Sequence, residues 1–486
     1  MNITVGLRDI ALISPMIAIF IASLFPITLK VLNKNQEPPA LLTLGQALMG
    51  IVISIGLLTV FGGAEKTAFN GALAFDGITQ WMGVIALGAS AIAMIMMYEN
   101  PATKGKQFAE LIFLAMSSLL GMLILVSAVD LLMVFIGLEM MSLSVYLMIA
   151  MSHEEKFSKE AAIKYFVLGS LASAIFLYGV AFIFGTTGTT NIIQFMDQAS
   201  ELIATNRMFV FGMAFVILGF CFKVSIAPFH AWTPDVYQGA PTPHTALMAT
   251  AMKTVSFAAF LRIIATKVLT GSENLFDVLQ WLAVITMIVG NVAALVQNNL
   301  KRVLAYSSIA HSGYLLVGVI TAGVSEAGTF GASGVIFYLL SYSVMTLGAF
   351  AVVSMLERTE NTVLGVEDLA GMSRRHPILS LCLTVFLLSL AGIPPTLGFF
   401  GKFYLFNAAI GEGLLWLAVW GVMNSVIGVY YYLRPIVVMY MKDGHAEMAK
   451  HSLNATTVTV IVMAIIVTFL GVLSGPLFSA VEKSLL

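Results

Sequence analysis

Three lysines and one glutamate stand inside apolar runs where a charge is costly. Glu139 falls near the middle of LLMVFIGLEMMSLSVYLMIAM (131–151). Lys223 falls in FCFKVSIAPFHAWTPD (220–235), Lys253 inside the run 242–266, and Lys402 in AGIPPTLGFFGKFY (391–404). An ionisable group at mid-bilayer costs at least ~2.5–3.5 kcal/mol, so it needs a partner, water or a task. Lysine suits proton exchange: burial disfavours the ammonium, and a nearby carboxylate restores it. A Glu–Lys pair is then an adjustable switch, in which the lysine keeps its proton while the pair is closed and releases it when the pair opens. Glu139 with Lys223 is the candidate pair, and Lys253 and Lys402 are the next stations. Snorkelling to the interface accounts for one such lysine more easily than for three together with a mid-span glutamate.

Histidine can hand protons between lysines, because its unperturbed pKa is about 6.5. His311, in AYSSIAHSGYLLVG, is the possible relay, and His230 and His244 flank the connection between two apolar runs. A histidine hydrogen-bonded at a helix end is the plainer reading of each. Tyr306, Ser307, Ser308 and Ser312 are candidates to line a wet channel, although helix hydroxyls often bond only to backbone. His153, His376, His445 and His451 read as loop residues. Helix breakers stand beside two of the lysines: Pro228 follows Lys223, and Pro394 and Pro395 precede Lys402. Inside a bilayer such breaks persist only where protein or water satisfies the freed carbonyls. Paired discontinuous helices mark the transport site of inverted-repeat transporters. An ordinary proline kink is the alternative for either segment alone.

The elements that must position these groups follow from composition. Of 486 residues, 59% are apolar and only 10% charged. A soluble domain carries roughly 25% charged residues, so a soluble enzyme, a disordered chain and a nucleic-acid binder are excluded. Apolar runs long enough to cross a bilayer recur about fourteen times, and the expected fold is an all-α polytopic membrane protein. The first run is expected to stay as a helix, since it is too long for the core of a signal peptide. Residues 1–98 hold helices 1–3, 108–266 a first five-helix unit (spans 4–8), 276–441 a second (spans 9–13), and 456–480 the last helix. Five is odd, so a tandem copy inserts upside down, and spans 7 and 12 correspond as the discontinuous helices. The stretch KTAFNGALAFDGI (66–78) alternates and carries Asn-Gly and Asp-Gly, which predicts a small hairpin. Most Lys and Arg lie in the loops after odd-numbered spans. Those loops are expected on the cytoplasmic side and both termini on the other. Arg262 and Lys267, after span 8, run against that trend.

Other chemistry finds no support. Cys221 and Cys382 lie far apart without a Cys/His cluster, which argues against zinc or iron–sulfur ligation. GFFGKF (398–403) lacks the first glycine and the final Ser/Thr of a phosphate-binding loop. No cofactor or metal site is expected on this chain.

GLEMMSLSVYLMIA (137–150), FKVSIAPFHAWTPDVYQGAPTPHTALMATAMK (222–253), NLKRVLAYSSIAHSGYLLVG (299–318) and AGIPPTLGFFGKFYLF (391–406) together resemble the antiporter-like subunits of respiratory complex I, over about residues 100–440. The resemblance implies a proton-pumping channel in the membrane arm of a bacterial NADH:quinone oxidoreductase. The family's helix 5 glutamate falls on Glu139, its helix 7 lysine on Lys223, its helix 8 lysine on Lys253 and its helix 12 lysine on Lys402. Its polar axis passes near His311, whereas His244 has no firm counterpart. The resemblance also implies partners: a neighbouring antiporter-like subunit, small helical subunits, and others that carry NADH, FMN, iron–sulfur clusters and quinone. It implies residence in the bacterial inner membrane, with periplasmic termini. A subunit of a multi-subunit Na+(K+)/H+ antiporter or of a membrane-bound hydrogenase, and a passive structural subunit, are the alternatives.

Overall fold

The computed structural model describes residues 6–62, 66–103, 107–151, 156–196, 198–264, 269, 272–324, 329–357, 364–444 and 454–485. Within these, twelve helices are long and apolar enough to cross a bilayer. In chain order the first six are α1 (Ser14–Leu32), α2 (Ala40–Phe61), α3 (Gly77–Glu99), α4 (Phe108–Ser127), α5 (Leu131–Met151) and α6 (Ser158–Thr187). Next comes α7, in two pieces, α7a (Arg207–Lys223) and α7b (Trp232–Gly239). It is followed by α8 (Thr242–Ile264), α9 (Glu273–Leu295), α10 (Leu300–Val324) and α11 (Thr329–Leu356). Then α12 is again in two pieces, α12a (Pro377–Ala391) and α12b (Leu397–Gly411). The last membrane helices are α13 (Leu415–Met441) and α14 (Ala455–Val472). Both discontinuities fall where the prolines stand in the sequence. The discontinuity expected in span 12 resolves into two 15-residue helices, and that expected in span 7 into the 17-residue α7a and the eight-residue α7b.

Burial ranks the helices. In α8 and α10 94% of the most apolar window is buried, and in α11 89%, against 33% in α1, α6 and α14. The core is therefore α8, α10 and α11, and the helices with exposed apolar faces form the rim. Lipid is as apolar as leucine, so close backbone approach rather than hydrophobic expulsion holds such helices together. Glycines provide it. A Cβ at Gly121 of α4 would lie 2.5 Å from the Met141 nitrogen of α5, and one at Gly137 would lie 2.8 Å from the Leu125 nitrogen. The same reciprocal fit joins α9 and α10, where a Cβ at Gly290 would lie 2.4 Å from the Ala310 nitrogen and one at Gly313 2.9 Å from that of Met287.

The predicted hairpin is present: β1 (Lys66–Ala68) pairs antiparallel with β2 (Leu73–Phe75), Thr67 opposite Ala74. Phe69, Asn70 and Gly71 turn the chain with positive φ. Asp76, just beyond β2, caps α3 through Thr79.

The same aspartate explains the charge that broke the loop pattern. Arg262, at the end of α8, makes a bidentate pair with Asp76 at 2.7 and 2.6 Å, donates to Thr79 Oγ1 at 2.7 Å, and reaches the Val126 carbonyl of α4 at 3.2 Å. It is a clamp that joins the end of α8 to the start of α3 and the end of α4. Lys267 lies outside the described residues. Burial pushes the Asp76 carboxyl up, but the Arg262 charge and hydrogen bonds outweigh it and hold the group below its ordinary value. The stabilisation is thus complete at neutral pH and is lost as pH falls below the ordinary aspartate range, near about 4. Removing one partner of a largely buried pair costs about 3–5 kcal/mol. Arg262→Gln is expected to lower the thermal unfolding temperature of the protein in detergent by several degrees. An unchanged melting curve would show that the clamp is dispensable.

Candidate functional site

Hydrogen bonds and ring contacts link the surroundings of Lys223, Lys253, His311 and Lys402 in turn, but the expected Glu139–Lys223 pair is not formed. Glu139 and Lys223 make no direct ion pair. Glu139 Oε1 accepts a hydrogen bond from Ser173 of α6, and Lys223 Nζ donates to Ser142 of α5, one turn beyond Glu139. The physical reason is local. Ser142 accepts from the ammonium and donates its own hydroxyl hydrogen bond to the Leu138 carbonyl, while the Tyr165 and Tyr146 rings hold the ammonium at 5.6 and 5.9 Å. Both charged groups are half-buried. Leu138, Ser173, Phe176 and Lys223 help to line a small pocket between α5, α6 and α7a.

Lys223 is the last residue of α7a. The break that follows, with Pro228, leaves carbonyls free in the bilayer, and each needs a donor. Trp232 Nε1 takes the Phe222 carbonyl at 3.0 Å. Ser312 Oγ of α10 takes the Val224 carbonyl. Ser312 also accepts from Lys253 Nζ at 2.9 Å, so the backbone beside Lys223 is joined to Lys253 through one hydroxyl.

Lys253 sits half-way along α8 and is 3% exposed, which rules out snorkelling. Its ammonium donates to the Ser308 carbonyl at 2.7 Å, to Ser308 Oγ at 2.5 Å and to Ser312, which uses all three protons. The Tyr342 hydroxyl donates to Ser308 Oγ at 2.9 Å. Directly before Lys253, residues Met248–Met252 form a π-helical turn. Such turns are uncommon and cluster at functional positions, and no sequence signal announced this one.

His311, one turn beyond Ser308 on α10, is 1% exposed. Its Nδ1 pairs with the Tyr338 hydroxyl of α11 and its Nε2 with that of Tyr432 of α13 at 3.0 Å; Tyr432 also meets Ser307. Of the flagged hydroxyls, Ser307, Ser308 and Ser312 join this network. Tyr306 is half-buried beside it, and His230 is half-buried in the α7 break. His153, His445 and His451 lie outside the described residues.

Lys402, in α12b, is 6% exposed. It reaches back across the break made by Pro394 and Pro395 and donates to the Leu390 and Ala391 carbonyls of α12a at 3.1 and 3.0 Å, and to Ser425 at 2.8 Å. A cation at a helix C-terminus is favoured by the helix dipole. Gly392 makes room: its φ is +84°, and a Cβ there would lie 3.1 Å from the ammonium. The ammonium lies 5.0 Å from the centre of the Tyr314 ring, which also packs edge-on against His311.

Among the described residues, none of the three lysines forms an ion pair. Hydroxyls and backbone carbonyls hold the Lys253 and Lys402 ammoniums, and a hydroxyl and two tyrosine rings that of Lys223, and these can stay in place when a proton leaves. Ser142, Ser173, Tyr338, Tyr342, Ser425 and Tyr432 went unnoticed in the sequence. Their only signal was polarity within apolar runs, as with Tyr338 and Tyr342 one turn apart. The described residues contain no cluster of metal-ligating side chains.

Residues 128–428 match the family model described as "NADH:quinone oxidoreductase/Mrp antiporter, TM". The chain is 76% identical over 486 residues, 100% of both chains, to NADH-quinone oxidoreductase subunit N of Bdellovibrio bacteriovorus. It is similar to a chain of respiratory complex I from Thermus thermophilus, with 31% identity, a TM-score of 0.82, and coverage of 96% of this chain and 99% of that one. It shares its fold, at 24% identity and a TM-score of 0.85, with a chain of an archaeal membrane-bound sulfane sulfur reductase, covering 98% and 97%. The buried lysines thus lie in a chain that belongs to the antiporter-like membrane family of NADH:quinone oxidoreductases and Mrp antiporters, as a subunit N of the NADH-quinone oxidoreductase translocase.

Proposed function

We propose that this chain conducts protons across the membrane arm of its NADH:quinone oxidoreductase, through Glu139, Lys223, Lys253, His311 and Lys402. One observation carries the reading: three lysines at bilayer depth have neutral donors and acceptors around them and no carboxylate in contact. A structural charge at that depth is kept by a counter-ion. A lysine held by serines and carbonyls instead can gain and lose a proton without dismantling its site.

In this mechanism quinone reduction elsewhere in the complex shifts the electrostatics of a neighbouring subunit. That shift draws Glu139 toward Lys223 or lets it fall back to Ser173. Lys223 and Lys253 respond through the shared Ser312 bridge. Protons taken up from the cytoplasm reach Lys253, pass the Tyr342–His311–Tyr432 group and leave past Lys402. Spans 4–8 and 9–13 act as two inverted units. The equivalent glycine crossings of α4 with α5 and α9 with α10, and the equivalent breaks in α7 and α12, support that division.

The chain resides in the bacterial inner membrane with both termini on the periplasmic side, next to another antiporter-like subunit and small helical subunits. NADH, FMN, iron–sulfur clusters and quinone belong to partner subunits. A Na+(K+)/H+ antiporter subunit is the alternative that shares the fold. Replacing Glu139, Lys223, Lys253 and Lys402 together by Gln, Met, Met and Met is expected to abolish the chain's share of NADH-driven proton movement in membrane vesicles. Parent-level movement would reject the reading.

A further inference from the structure

The cytoplasmic ends of α8, α10 and α11 enclose a second group of polar side chains that the four charges do not use. His244, the third residue of α8, is 0% exposed, and neither ring nitrogen has a hydrogen-bond partner. Two residues earlier on α8, Thr242 Oγ1 donates to Glu357 Oε1 at 2.5 Å. Asn100 Nδ2 of the α3 end donates to Glu357 Oε2 at 2.7 Å, and Lys301 of α10 stands 3.9 Å from Glu357 Oε1. Deeper on α11 is the buried hydroxyl of Thr346, which interacts with the Tyr342 hydroxyl. One turn further in is Tyr342, which already bonds the serine that holds Lys253.

A buried polar atom left unpaired costs about 1–3 kcal/mol. Two unpaired imidazole nitrogens, buried on the helix that carries Lys253, are an expensive arrangement for a purely structural core. Packing alone would be served better by valine at this position. At about 1.5 Å per residue, His244 lies roughly 13 Å from Lys253 along α8, too far for one proton transfer but within reach of a short chain of waters and hydroxyls. All three helix ends belong to loops that follow odd-numbered spans, the side with the excess of lysine and arginine.

We propose that Glu357, His244 and Thr346 form the proton-uptake limb that supplies Lys253 from the cytoplasmic side, with His244 as its relay. This rests on the proton-conducting reading given above. The step balances within the ring: a proton arriving at one nitrogen is matched by loss of the proton on the other, toward Thr346 and Tyr342. A ring flip then restores the starting tautomer. Glu357 receives the proton from solvent, and Lys301 keeps its carboxylate oriented.

The test uses inverted membrane vesicles carrying the assembled complex with His244→Gln, His244→Val or Lys253→Met, each checked for copurification of the other subunits. Gln keeps a hydrogen-bonding amide but cannot carry a proton, whereas Val fits an apolar site. Both His244 variants are expected to lower the initial rate of NADH-driven proton uptake at least threefold. A parent rate in His244→Gln, even with a slow His244→Val, would reduce the histidine to a hydrogen-bonding spacer and overturn the relay. If the Val variant does not assemble, the Gln variant decides alone. A parent rate in Lys253→Met would instead overturn the proton-conducting reading itself, so the two failures are distinguishable.

Discussion

Lys253→Met will lower NADH-driven proton translocation by about a hundredfold, the lower range for removing a positioned proton carrier, while the protein remains at least as stable as the parent. The two expectations have one cause. The ammonium is fully enclosed and touches no carboxylate, only Ser308 and Ser312. Replacing an uncompensated buried charge with an apolar side chain of similar length is neutral or stabilising. The surrounding bonds survive, because Ser312 still takes the Val224 carbonyl and Tyr342 still meets Ser308. Activity and stability therefore move in different directions, which a merely structural lysine would not produce. Dye-quenching rates in vesicles and melting curves of the purified protein check both. A variant that loses stability and pumping together would point to a packing role.

Glu139→Gln tests the other end of the axis. Glutamine has nearly the shape of glutamate, and its amide oxygen can still accept from Ser173, so the exchange removes charge and little else. With the negative charge gone, nothing pulls Lys223 away from Ser142. The switch is held in its open form, and coupled proton movement is expected to fall about tenfold. Ser173→Ala is expected to have a smaller effect of the same sign, since it frees the carboxylate from one of its two positions. The comparison is made by proton uptake per NADH oxidised. Equal rates in parent and Glu139→Gln would show that the carboxylate takes no part.

The parts of this site that were legible in the sequence are those in which one residue violates its surroundings. A lysine in a run of leucines is visible without a structure, and so is a proline after a phenylalanine-rich helix. Hence Glu139, the three lysines and both breaks could be read directly. What could not be read depends on partners brought from other helices. Ser173 holds Glu139 and Ser142 holds Lys223, yet a serine in a membrane helix is ordinary and usually bonds its own backbone. The π-helical turn before Lys253 has no compositional mark. Arg262 was misleading by charge alone, because its partner Asp76 lies far away in sequence and meets it only through the packing of α3, α4 and α8. His244 was visible as a residue, but its two unpaired nitrogens depend on burial, which spacing does not reveal.

The most direct measurement is the number of protons translocated per NADH by membranes whose complex carries Glu139→Gln, Lys223→Met, Lys253→Met and Lys402→Met together, with full assembly verified by copurification. If these groups are the conducting path, that number falls below the parent value, or coupled turnover stops altogether. An unchanged proton count at an unchanged rate of NADH oxidation would contradict the account and leave this chain a structural member of the membrane arm.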